Sequence, residues 1–115
     1  MTVKIQEKEI ELKLSIRTYI YYENIINKSF ELKDLSNFNN LVSFFYSVIL
    51  SSSKKQGLNF KMAYDDFIEW IDDNGGEYLL VDFINWFTKE QESQAQFLRK
   101  NETENTEGNK KKLKA

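Results

Sequence analysis

The chain has 115 residues, 41% of them hydrophobic, and a formal net charge of -2. That length supports one modest core with residues to spare for a tail. It contains no His, Cys or Pro, which excludes imidazole and thiol catalysis and any disulfide framework.

The first element is predicted at once. Val3 and Ile5 alternate with polar residues, and Ile10, Leu12 and Leu14 do the same. A period of two predicts two half-buried strands. Gln6-Glu7-Lys8 between them is short enough for a hairpin loop, though it lacks an Asn-Gly or Asp-Gly turn.

Ser15 can cap a helix from Ile16 to about Lys28. Ile16, Tyr19, Ile20 and Ile26 share one face of it, with Tyr22 and Ile25 toward the other side. Two apolar stripes predict a helix between two layers, or one that exposes a contact surface. Glu23 falls near the buried face and reads as a paired or edge-exposed structural carboxylate.

Asp34 or Ser36 can cap a second helix running to about Ser52. Phe38, Leu41, Val42, Phe45, Val48 and Ile49 form its core stripe, with Phe44, Tyr46 and Leu50 off it. Ser51 to Gly57 reads as a polar loop. Tyr64 to Asp73 predicts a short third helix, with Phe67, Ile68 and Ile71 as its apolar side and Trp70 close by. Asn74-Gly75-Gly76 stops it. A fourth helix starts near Glu77, with Leu80, Phe83, Ile84 and Phe87 inward and Leu79 and Trp86 on an adjacent face, and continues to about Lys100. From Asn101 the chain offers nothing apolar against ordering entropy and reads as a flexible tail.

Charge and targeting signals narrow the partners. Residues 1–87 carry 13 acidic against nine basic side chains, and the remainder five against seven. A net-acidic body is a poor phosphate-binding surface, so nucleic acid is not an expected partner. Lys110–Lys112 reads as part of a solvated tail. No run reaches the roughly 18 apolar residues that span a bilayer. The first residues show no apolar signal region, so no membrane is expected and the compartment is read as cytoplasmic.

Chemistry has few candidates. Asp65, Asp66, Glu69, Asp72 and Asp73 concentrate carboxylates, but their spacing lacks the alternation of an EF-hand loop. They read as a solvated helix face, with no metal expected. Ser52 or Ser53 beside Lys54 or Lys55 would be a poor Ser-Lys pair, because loop neighbours rarely attain that geometry. Gly75-Gly76 lacks the surrounding pattern of a phosphate loop. No catalytic residue and no cofactor are therefore expected. The aromatic surplus remains: Tyr21, Tyr22, Phe44, Trp70 and Trp86 do not all fit one small core. Either they anchor a partner, or a second layer or a homo-oligomer buries them.

The order of elements carries a resemblance. A hairpin with Glu9-Ile10-Glu11-Leu12 leads into Ser15-Ile16-Arg17-Thr18-Tyr19-Ile20-Tyr21-Tyr22-Glu23, then Lys28-Ser29-Phe30. Next come Phe45-Tyr46-Ser47-Val48-Ile49-Leu50-Ser51-Ser52 and Tyr64-Asp65-Asp66-Phe67-Ile68-Glu69-Trp70-Ile71-Asp72. From Val3 to Phe87 this resembles the tail assembly chaperones of long-tailed bacteriophages and prophages, except that the Glu7-Lys8 turn lacks their glycine. The resemblance implies a non-enzymatic, ATP-independent chaperone in the host cytoplasm. Its implied partners are a tape-measure protein, which it keeps soluble, and tail-tube subunits, which it recruits. It also implies a longer form made by ribosomal frameshifting, for which an A-rich Lys110–Lys112 segment would serve. The alternative is a small phage or bacterial adaptor or inhibitor acting on a host protein. The expected architecture is α+β: an N-terminal hairpin packed on about four helices as one domain over 1–100, with a tail over 101–115.

Overall fold

Alternation at the N-terminus becomes a hairpin in the computed structural model, which describes residues 1–94. Strands β1 (Thr2–Ile5) and β2 (Lys8–Glu11) pair antiparallel, with Val3 opposite Ile10 and Ile5 opposite Lys8. Val3, Ile5, Ile10 and Leu12 are buried. The connection is two residues, Gln6 and Glu7, both at positive φ (51° and 62°). This is the backbone of a type I′ turn, which matches strand twist and ordinarily recruits Asn-Gly. Gln6 and Glu7 both bear a conformational cost, since a Cβ crowds the left-handed region. Glu7→Gly is expected to stabilise the fold by about 1 kcal/mol, read as a higher urea midpoint with unchanged slope.

Helix α1 (Ile16–Ile26) starts at Ser15, whose backbone N–H donates to Thr18 Oγ1 at 3.2 Å. It ends at Asn27 in the left-handed conformation, where Asn is tolerated, with the Asn27 N–H donating to Glu23 O. Its buried residues are Thr18 and Tyr22. The inward face is therefore rotated from the expected one, and Ile16 and Ile20 point outward. The reason is chemical: the hydroxyls of Thr18 and Tyr22 both find hydrogen-bond partners inside. Thr18 Oγ1 lies 2.6 Å from Ser51 Oγ, and Tyr22 OH donates to Asp34 Oδ2 at 3.1 Å.

A 3-10 turn (Leu32–Ser36) precedes α2 (Phe38–Lys55). The cap of α2 is Asn37, whose side chain accepts from Asn40 N–H at 3.2 Å; neither Asp34 nor Ser36 serves. Asp34 is taken up by the turn, accepting from Glu31 N–H. Helix α2 is buried over most of its circumference, Phe44 and Phe45 included, while Phe38 at its exposed start is outside the core. It packs against α1, α3 and β2, so a single-stripe reading understates its burial.

The polar residues 51–55 are helical, where a loop was expected. Ser51, Ser52 and Ser53 are buried because each hydroxyl is satisfied. Ser52 Oγ accepts from Lys13 N–H at 2.9 Å and donates to Lys13 O at 3.1 Å. One turn on, Gln56 Nε2 donates to Glu11 O, and Gln56 Oε1 accepts from Glu11 N–H. The end of α2 thereby covers the outer edge of β2, as a third strand otherwise would.

Helix α3 (Tyr64–Asp73) has the expected limits. Gly75 and Gly76 take positive φ after it, a backbone that glycine adopts freely. Residues 77–94 are helical (α4). Leu80, Phe83 and Phe87 are buried; Ile84 is half-buried. In the core, Phe45 stacks on Phe83 (centroids 4.3 Å apart, planes at 13°) and meets Phe67 edge-on at 5.3 Å. Phe44 stacks on Phe30 at 5.0 Å and meets Tyr22 edge-on at 5.5 Å.

The chain divides into two compact units, Met1–Phe83 and Ile84–Ala115. The first holds the hairpin and α1 to α3. The second, over its described residues 84–94, is helical. The α+β class and the hairpin-plus-helices order are as expected. The continuation of α4 to Lys100, the domain limit at 100, the tail over 101–115 and Lys110–Lys112 lie outside the described residues.

Candidate functional site

The five expected partner-binding aromatics do not form one site. Tyr22 and Phe44 are each 0% exposed. Both belong to the core between α1 and α2, which corrects their assignment to a contact surface. Their rings pack on one another, and Phe44 also lies 5.7 Å from the Tyr19 ring. Trp70 is half-buried and stacks on Phe67, centroids 5.8 Å apart and planes at 12°. Trp86 is half-buried in the second unit. Tyr21 borders a surface depression.

That depression is a trough open to solvent beside α1 and the end of α2. One hollow, of about 890 Å³, is lined by Ile16, Arg17, Ile20 and Tyr21 of α1 with Ser51, Lys54 and Lys55 of α2. A second, of about 590 Å³, shares Tyr21 and Lys54 and extends along Leu58 and Phe60 to Lys61. Ile16 and Ile20 are one turn apart and 81% and 51% exposed. The rim carries Arg17, Lys54, Lys55 and Lys61, and neither hollow is lined by a carboxylate. These four cations join none of the ion pairs among the described residues. Lysines in the last turn of a helix are ordinary, since they face its negative dipole end. The unusual feature is that cations from both α1 and α2, Arg17, Lys54 and Lys55, border the hollow that holds the exposed isoleucines.

The sequence held a partial signal for this trough. Ile16 and Ile20 belonged to one of two apolar stripes on α1, and a contact surface was one of the two readings of that pattern. The contribution of Lys54 and Lys55 was hidden, because residues 51–57 read as a loop with no defined direction.

Buried charge is concentrated elsewhere. Asp34 receives Lys28 Nζ at 2.9 Å on one oxygen, and Tyr22 OH and Glu31 N–H at 3.1 Å each on the other. The Lys28 hydrogen bond, helped by those from Glu31 and Tyr22, holds the Asp34 carboxyl below its ordinary value despite burial, which acts the other way. Burial pushes the Tyr22 phenol up, as does the adjacent Asp34 carboxylate. The cluster ties the 26–37 connection to α1. A carboxyl depressed in the folded state contributes stability that is full above its unfolded value of 3.8 and is lost as pH falls through the lower folded value. The urea midpoint of the native chain should thus exceed that of Asp34→Asn at neutral pH. The gap should narrow below about pH 4; a gap independent of pH would refute the charged role.

The other candidate chemistries stay apart. Asp65, Asp66, Glu69, Asp72 and Asp73 are exposed, and among the described residues no group of carboxylates is arranged to hold a metal ion. Ser52 and Ser53 bond backbone atoms, with Ser53 Oγ donating to Leu50 O, while Lys54 and Lys55 are exposed. Glu23 accepts from Phe30 N–H at 2.8 Å, a structural use. Gly75 and Gly76 make an interhelical turn. No helix among the described residues is long and apolar enough to cross a membrane.

Comparison with known proteins adds no assignment: no family model, curated protein or solved structure matches the chain.

Proposed function

We propose that the protein is a phage or prophage tail assembly chaperone, acting without catalysis by reversible binding to a tape-measure protein and to tail-tube subunits. The resemblance over Val3 to Phe87 supplies the identity. The supporting observation is the trough, with Ile16 and Ile20 exposed on a body in which, among the described residues, no buried side-chain polar atom lacks a partner. Large apolar side chains left outside such a body are suited to covering apolar surface on another protein. A tape-measure chain exposes apolar helical surface before the tube closes on it. A shallow solvent-open trough can hold such a helix and release it when tube subunits compete.

The reading is tested by co-expression. The tape-measure protein encoded nearest to this gene should stay in the soluble fraction when the chain is present and sediment when it is absent. Equal sedimentation in both cases would contradict the proposal.

A further inference from the structure

We infer that the trough beside α1 and the end of α2 accepts an amphipathic helix of a partner protein whose apolar stripe is flanked by carboxylates. The inference rests on the chaperone reading only for the partner's identity; the recognition chemistry comes from the trough itself.

The floor sets the apolar half of that partner. Ile16 and Ile20 lie one turn apart along α1, with the Tyr21 ring beside them. An aligned row of this kind suits side chains at i, i+3, i+4 and i+7 of a docked helix. The rim sets the polar half. Arg17 stands on the α1 side, Lys54 and Lys55 on the α2 side, and Lys61 at the far end. No acidic side chain lines either hollow, although the chain as a whole is net acidic. Three cations beside the exposed isoleucines, with Lys61 at the end of the second hollow, attract carboxylates flanking an apolar stripe and repel a Lys-flanked one. A helical protein segment is favoured over nucleic acid because the floor offers isoleucines to pack, with Tyr21 as its sole aromatic in the first hollow. It is favoured over an anionic membrane because the exposed isoleucines border a hollow between two elements, α1 and the end of α2, whereas a membrane-binding helix presents one continuous apolar face.

The test uses the full chain and fluorescence anisotropy. The probes are three labelled helical peptides: a Leu stripe flanked by Glu, the same stripe flanked by Lys, and a Glu-rich helix without the stripe. The Glu-flanked amphipathic peptide should bind at least about tenfold more tightly than either of the others, and its affinity should fall as salt rises. Arg17→Glu with Lys54→Glu should weaken it by about tenfold or more, and Ile20→Asp should do likewise. All three side chains are exposed, so thermal unfolding should be nearly unchanged, which separates lost binding from lost folding. Equal affinity for the Glu- and Lys-flanked peptides, absence of binding, or indifference to these substitutions would overturn the inference. So would tighter binding to single-stranded RNA or to anionic vesicles, competed away by the same substitutions. The double charge reversal then enters the co-expression assay. If the native chain solubilises the tape-measure protein and the reversed chain does so equally, the trough assignment fails while the chaperone reading stands. If the native chain fails there yet binds the Glu-flanked peptide through the trough, the chaperone reading fails and the inference survives.

Discussion

Phe45→Ala is expected to cost about 3–5 kcal/mol, the range for truncating a fully buried Phe. Phe45 is 0% exposed and sits between Phe83, stacked at 4.3 Å, and Phe67, edge-on at 5.3 Å. Trp70 meets it edge-on as well, at 6.4 Å. Removing the ring deletes aromatic contacts to α3 and α4 together and leaves a cavity that rigid neighbours cannot easily close. A small domain holds only about 5–15 kcal/mol in total, so the variant should be largely unfolded at moderate urea. The check is the urea midpoint followed by far-ultraviolet circular dichroism. A loss below about 1 kcal/mol would mean that the core is not organised around this ring.

Tyr22 should show the second-largest effect, and two substitutions divide it. Tyr22→Ala removes a 0% exposed ring lying edge-on to Phe30 and Phe44, and should cost about 3–5 kcal/mol. Tyr22→Phe keeps the ring and removes only the hydroxyl that donates to Asp34 Oδ2. It should cost about 1–2 kcal/mol, because Glu31 N–H still donates to that oxygen and Lys28 holds the other. If both variants lose equally, the hydroxyl would be the essential part and the ring packing incidental.

What the sequence disclosed depended on how local the cause was. The hairpin was legible because period two needs only a few residues, and Val3, Ile5, Ile10 and Leu12 are all buried as that period requires. The limits of α3 were legible because its acidic first turn and its glycine stop are adjacent to the helix they bound. The inward face of α1 was misread because Thr18 and Tyr22 are buried through partners 33 and 12 residues away, Ser51 and Asp34. A polar side chain that is satisfied at a distance looks solvated to any local pattern. Residues 51–55 were misread for the same reason: Ser52 and Gln56 bond backbone atoms of Lys13 and Glu11, 39 and 45 residues earlier. The trough was legible only in the presence of two apolar stripes on α1, since its cationic rim exists once α1, the end of α2 and the loop to α3 come together.

The aromatic surplus shows the same limit. Fifteen per cent aromatic content suggested more rings than one small core could hold. The α1–α2 interface absorbs Tyr22 and Phe44 completely, because α2 is covered on nearly every side. The exposed apolar side chains at the trough, Ile16 and Ile20, are aliphatic, and aromatic composition had not marked them out.

The most direct measurement is an affinity pull-down from cells producing the phage or prophage. It uses an N-terminally tagged native gene with its downstream sequence intact, and mass spectrometry of what is retained. The account predicts recovery of a tape-measure or tail-tube protein. Recovery of a host enzyme or regulator alone, with no tail component, would contradict it.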